Sequence, residues 1–230
     1  MKKVKTLLFV MVLLLLIAGM DSVIAQDKFE GTVDMKLKGK KGENNLKYYA
    51  KGDMARVEMG EKAKKETSLP LQGNVIFKNN RMFVLMPSRK TYVEKPLNIS
   101  GKLNEISRKE NLDSKVTKMD SEKDILGHRA NKWLIKTNSG EIELWSTNEL
   151  GNIFFFQNEK AGGTYPEWFQ KVTKGGFFPL LVIQHDLNGN EVNRLEVTDI
   201  KKGPVDNSYF EIPSDYRRTE GSQRSRRETK

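Results

Sequence analysis

The chain has 230 residues, with 40 Lys and Arg against 30 Asp and Glu, a formal net charge of +10, two histidines and no cysteine. Without cysteine there can be no disulfide framework, thiolate metal site, cysteine nucleophile or lipid-modified N-terminal cysteine. With His128 and His185 as the whole histidine complement, a histidine-rich zinc site is excluded and most acid–base machinery lacks parts, so no metal and no cofactor are expected.

Lys2, Lys3 and Lys5 precede an unbroken apolar run from Leu7 to Ala18, and Val23-Ile-Ala25 supplies the small-residue end of a cleavage site. Residues 1–25 therefore read as a secretory signal peptide, because the run is well short of the roughly 20 residues a spanning helix needs. The mature chain from Gln26 is expected to be exported, periplasmic or otherwise secreted, and soluble. Its remaining length suits one domain.

Period-2 alternation dominates the mature chain. Phe29, Gly31, Val33, Met35 and Leu37 share one face of a first strand. A turn cluster at 39–45 leads into a second strand, predicted as one element from about Leu46 to Met59. Residues 60–73 read as a charged loop broken by Pro70. Then come Val75-Ile-Phe77, an Asn79-Asn80 turn, the apolar run Met82-Phe-Val-Leu-Met86, and a turn at 87–90 into Thr91–Glu94. A helix is predicted over Gly101–Asn111, with Leu103 and Ile106 on one face. Two hairpin arms, Asn131–Thr137 and Glu141–Ser146, meet at Asn138-Ser-Gly140. After the apolar stretch Ile153-Phe-Phe-Phe156, Pro166 opens a short helix on which Trp168, Phe169 and Val172 recur at helical spacing. A last hairpin, Leu180–Asp186 and Glu191–Ile200, turns at Leu187–Asn190, and the body closes on Phe210-Glu-Ile-Pro213 and Tyr216.

The prediction is therefore mainly β: nine to eleven strands in consecutive antiparallel hairpins with two short helices and no βαβ alternation. A meander of this length curls into a barrel or splits into a sandwich. A hydrophobic share of 37% together with the two short apolar helices favours a curved sheet plugged by helices.

The order of these elements carries a resemblance. The signal peptide and early hairpins are followed by Phe77-Lys-Asn-Asn-Arg-Met-Phe-Val-Leu-Met-Pro87, Ile125-Leu-Gly-His-Arg-Ala130 leading into Trp133, Glu143-Leu-Trp145, and Val205-Asp-Asn-Ser-Tyr-Phe-Glu-Ile-Pro213. Over roughly residues 26–216 the chain resembles an exported bacterial family of unknown function, domain of unknown function 4412. That family is similar to the outer-membrane lipoprotein carrier superfamily of LolA, LolB and LppX. The resemblance implies a single, strongly curved, unclosed LolA-like β-barrel with short helices as a lid over an apolar cavity for acyl chains. It also implies a basic residue on an early strand tied to the lid, with Arg56 the position that answers to it. LolB and LppX carry a lipidated cysteine and this chain does not.

A ligand groove on that plan would be lined by Met82, Val84 and Met86 on one strand, Trp133 and Ile135 on another, and Leu180 and Val182 on a third. Trp168, Phe169 and Phe178 would line the lid. Methionine and aromatic side chains suit flexible acyl chains because they adapt their shape. Any one of these residues is better explained by a packed core, but as a set, with the diluted apolar composition and the lid-like helix, they make a non-catalytic binder of a lipid or the acyl chain of a lipoprotein the leading expectation. The alternative is an envelope interaction module with a packed interior and no small-molecule ligand. No nucleophile motif or paired base is present, and no enzyme is expected. His128 and His185 read as surface or edge residues, and Asp186-Leu-Asn-Gly-Asn190 as a hairpin turn rather than a calcium loop. Residues 217–230 carry six Lys and Arg against two Glu and no apolar side chain, which predicts a disordered basic tail. Such a tail could touch an anionic membrane surface; nucleic acid is not an expected partner.

Overall fold

The structure is a computed structural model and describes residues 29–39, 42–60, 74–97, 99–112, 115–151, 165–174 and 176–220. The expected signal peptide, the loop at 61–73 and the apolar stretch at 153–156 lie outside the described residues. Among those described, twelve strands form one sheet: β1 (Gly31–Gly39), β2 (Gly42–Lys51), β3 (Met54–Met59), β4 (Asn74–Lys78), β5 (Arg81–Met86), β6 (Thr91–Pro96), β7 (Val116–Ile125), β8 (His128–Thr137), β9 (Gly140–Thr147), β10 (Phe178–His185), β11 (Glu191–Lys202) and β12 (Arg217–Arg218). Helix α1 (Ile99–Glu110) joins β6 to β7, and α2 (Glu167–Thr173) lies between β9 and β10.

The sheet order is β12-β6-β5-β4-β3-β2-β1-β11-β10-β9-β8-β7. All neighbours are antiparallel except β12, which runs parallel to β6. Among the described residues β7 and β12 are left as unpaired edges, so this is the mainly β, strongly curved, unclosed barrel expected. Register shifts at Asp34/Met35, Pro179/Leu181 and Lys118/Glu122 insert bulges of the kind that bend and twist a long sheet.

Alternation sets the two faces. Val33, Tyr48, Val57, Val75, Val84 and Val93 form one cross-strand row from β1 to β6. Leu37, Leu195, Val182, Leu144 and Trp133 form another from β1 to β8. Both rows belong to the concave face, where they join Leu103 and Ile106 of α1 and Trp168, Phe169 and Val172 of α2 in one apolar core. Helix α1 crosses this space. It starts beside the β4–β5 turn, where the Leu97 N–H donates to the Asn80 carbonyl at 3.0 Å. It ends against the β8–β9 turn, where Glu110 Oε2, 1% exposed, accepts the Asn138 N–H at 2.9 Å. Lys115 Nζ closes the same corner, donating to the Glu110 carbonyl and to Asn138 Oδ1, each at 2.9 Å. Gly140 is required in that turn: its φ is +138°, and a Cβ there would sit 2.0 Å from the His185 carbonyl oxygen.

Three sequence expectations change. The single strand expected over 46–59 is a hairpin, β2 and β3, folded at Gly52-Asp53 with Gly52 at φ +58°. The inward apolar positions change parity across the turn, from Leu46, Tyr48 and Ala50 to Ala55, Val57 and Met59, a slip that a single-strand reading passes over because the turn itself takes only two residues. Strand β7 has no counterpart among the expected elements, because eight of its ten residues are exposed and carry no alternation to detect. The expected tail also starts too early. Arg217 and Arg218 form β12, with the Arg217 N–H on the Lys90 carbonyl at 2.9 Å and the Thr219 N–H on the Tyr92 carbonyl at 2.8 Å. Backbone pairing needs no apolar side chain, so composition carries no sign of it. Residues 221–230 lie outside the described part.

Candidate functional site

The structure brings the ten candidate groove residues to the concave side and then divides them. Trp133, Ile135, Trp168, Phe169, Phe178, Leu180 and Val182 are all buried, none more than 8% exposed. Trp168 and Phe169 meet edge to face at 5.5 Å between centroids, and Phe178 packs edge-on against Phe29 at 5.2 Å. Phe178 belongs to β10 and not to a helix. The β8–β10 half of the concave face is therefore already filled, with α2 as its plug.

The β3–β6 half differs. Met82, Val84 and Met86 alternate along β5 and are all half-buried, as are Val57 on β3 and Val93 on β6. Val57, Met82 and Val84 are partly buried and pack against the core. Beside them, at neighbouring positions of the same inward-facing rows, Tyr48, Val75 and Phe77 are buried and complete an apolar floor. Tyr48 brings a hydroxyl to that floor, and its burial pushes its pKa well above the ordinary tyrosine value. Met82 to Met86 span about 13 Å along the strand, at about 3.3 Å per residue. Val57 and Val93 are the site residues that sequence reasoning misses. Val93 sits in a clear Thr-Tyr-Val-Glu alternation, whereas Val57 is assigned to the wrong face as long as 46–59 is taken for one strand.

Arg56, which the family resemblance implies as the basic residue tied to the lid, is placed by the same hairpin. In one unbroken strand Arg56 would share a face with Leu46 and Tyr48. The hairpin pairs Ala50 with Ala55, so Ala55, Val57 and Met59 face inward and Arg56 faces outward. Arg56 does not tie to the helices. Its Nη1 donates to the Tyr209 carbonyl at 3.0 Å and its Nη2 pairs with Glu58 at 2.8 Å. What it holds is the C-terminal segment, which crosses the outer face of β2–β6. There Val205 and Phe210 cover Tyr49, Ile76, Phe83 and Leu85 in a second, smaller core. Tyr209 stacks on Tyr49 at 4.5 Å, and the Tyr49 hydroxyl donates to Glu58 at 3.1 Å. Burial, then the Glu58 charge and hydrogen bond, push the Tyr49 pKa up to about 12. Lys51 Nζ on the Val205 carbonyl at 2.8 Å and the Lys90–Asp215 pair at 2.9 Å pin the segment further along. In that pair the shared hydrogen bond raises the Lys90 pKa and lowers that of Asp215.

The remaining polar candidates are local. His128 Nδ1 lies 3.1 Å from Glu149 Oε2. Asp186 Oδ1 accepts the N–H groups of Asn188 and Asn190 at 2.9 and 3.1 Å, so the carboxylate organises the β10–β11 turn. Among the described residues no group of three or more His, Asp or Glu is placed to hold a metal ion, and no helix is long and apolar enough to cross a membrane.

Several solved structures are similar to this chain at low identity. An uncharacterized conserved protein from Thermus thermophilus is 15% identical with a TM-score of 0.49, over 84% of this chain and 91% of that one. The MucA/MucB complex of Pseudomonas aeruginosa gives 11% identity and a TM-score of 0.48, over 83% of this chain and 57% of that one. A candidate outer membrane lipoprotein-sorting protein domain from Vibrio parahaemolyticus gives 11% and 0.27, over 78% and 87%. No curated protein matches the sequence. Residues 29–216, which take in the groove, both helices and the outer C-terminal segment, match the domain of unknown function 4412, and the chain belongs to that family.

Proposed function

We propose that this chain is an exported, non-catalytic binding protein that holds an apolar chain, from a lipid or an acylated partner, on the inner face of β3–β6. The observation that supports this reading is the division of the concave face. One half is closed by its own side chains, while Met82, Val84 and Met86 stay half-buried with Val57 and Val93 beside them. Each methylene laid on such a surface gains about 0.8 kcal/mol, so a chain covering the row would be held without any covalent step. A second reading, an interaction module without a small ligand, is favoured by the solid packing of the other seven candidate residues.

The test is Val84→Trp. The side chain stands between Val75 and Val93 in the inward-facing row and is half-buried, so an indole there would occupy the open part of the groove. Uptake of a fluorescent fatty acid should fall about tenfold or more, with the melting temperature within a few degrees of the parent. Unchanged uptake means the inner face is misassigned. A parent protein that takes up no acyl probe, and shows no extractable mass by native mass spectrometry, favours the interaction module instead.

A further inference from the structure

The edge of the groove carries charge on one face in a way its opposite face does not. On β6, Thr91, Val93 and Lys95 stand opposite Met86, Val84 and Met82, so Lys95 shares the concave face with the apolar row. β12 runs parallel to β6 with Arg217 beside Thr91 and Arg218 beside Tyr92, which places Arg217 on the concave face and Arg218 on the outer one. On the outer face Arg218 pairs with Glu94 at 3.0 Å, Arg81 also pairs with Glu94, and Lys78 stands over the Phe83 ring at 5.9 Å. Lys95 and Arg217 are exposed, and neither side chain has an ion pair or hydrogen bond among the described residues. No carboxylate stands at an inner-face position of β3, β4, β5, β6 or β12. An apolar floor thus ends, at its open side, in two uncompensated cations flanking Val93. Four strand residues separate their rungs, about 13 Å, and both arms are long enough to converge on a head group between them.

We infer that the occupant is an acyl lipid with an anionic head group, its chain on Met82, Val84 and Met86 and its head group held by Lys95 and Arg217. This rests on the groove reading above and adds the ligand's charge to it. A zwitterionic head would bring a cation to the same rim and lose most of the attraction. The two side chains are exposed, so the preference weakens with salt, over a screening length of about 8 Å at physiological ionic strength.

Calorimetric titration of the full chain with lysophosphatidylglycerol and lysophosphatidylcholine of one acyl length, both below their micelle concentrations, tests it. The parent should bind the anionic lipid about tenfold tighter at low salt, where an unscreened surface ion pair has its largest effect. The double variant Lys95→Gln with Arg217→Gln should bring the two affinities within about twofold and leave the lysophosphatidylcholine affinity unchanged. Arg218→Gln, on the other face, should keep the preference. Equal affinities in the parent, a preference that survives the double variant, or an equal loss in Arg218→Gln would each overturn the inference while leaving the groove intact. Binding of neither lipid would overturn the groove reading with it.

Discussion

Replacing Glu110 tests whether α1 is fixed in the concave space by polar contacts or only by its apolar face. Glu110 is 1% exposed at the C-terminal end of α1, and its carboxylate accepts the Asn138 N–H. A hydrogen bond to a charged group is worth about 1.5–3 kcal/mol. Glu110→Ala also removes one buried methylene, about 0.8 kcal/mol. Asn138 itself is exposed, so water recovers part of the lost bond. The sum is about 2–3 kcal/mol, which for a domain of this size lowers the melting temperature by about 5–10 °C. Glu110→Gln keeps the methylenes and one acceptor oxygen, and should cost about 1 kcal/mol. The site-specific readout is amide exchange at Asn138, which should accelerate strongly in the alanine variant and little in the glutamine variant. If Asn138 exchanges at the parent rate in Glu110→Ala, or the two variants are equally destabilised, the carboxylate does not fix the helix and the reasoning fails.

Two further outcomes concern the outer face. Ending the chain after Tyr216 removes β12, with its two backbone bonds and the Arg218–Glu94 pair, and should lower the melting temperature by a few degrees; ending it after Glu220 should not. Equal melting temperatures for the two truncations in thermal denaturation would mean that β12 contributes nothing. At high pH, Tyr49 should ionise near 12 and not near 10. Its folded pKa is raised, so the neutral form is the one the fold favours, and the stability it contributes is complete below pH 10 and lost as pH rises toward 12. Ultraviolet titration of the parent against Tyr49→Phe isolates this group, and a difference spectrum that develops near pH 10 would contradict the burial and the Glu58 contact that together raise it.

Much of the architecture is legible from alternation alone. The β4–β5–β6 and β8–β9 hairpins, the β10–β11 hairpin with its Asn-Gly turn, and both helices stand within a few residues of their expected places. What escapes has physical reasons. Gly52-Asp53 reverses the chain in two residues and shifts the inward apolar positions from even to odd numbers, so reading 46–59 as one strand exchanges the faces of Val57 and Arg56. β7 is an edge strand with charged residues on both sides, which protects it from pairing with other chains but erases the periodic signal. β12 is held by main-chain bonds that no side-chain pattern encodes. For the site, alternation puts methionine and aromatic residues on the inner face correctly. It cannot tell Val84, which keeps an open side, from Val182, which does not, because that difference depends on where α2 comes to rest.

Helix α1 also joins β6, which lies next to the edge strand β12, to β7, the edge strand on the opposite side of the open barrel. A sheet of this kind could in principle gape or flatten by sliding its rims apart. Here β7 at one rim and β6 beside the other flank a single 12-residue rod, anchored at Asn80 through Leu97 just before it and at Asn138 through Glu110. The rod's length, about 18 Å at 1.5 Å per residue, sets the span between those anchors. Widening of the mouth then requires unwinding a helical turn or releasing an anchor. The slit's aperture is thereby a property of helix length, and inserting or deleting one turn of α1 would reset it without touching a single residue of the groove.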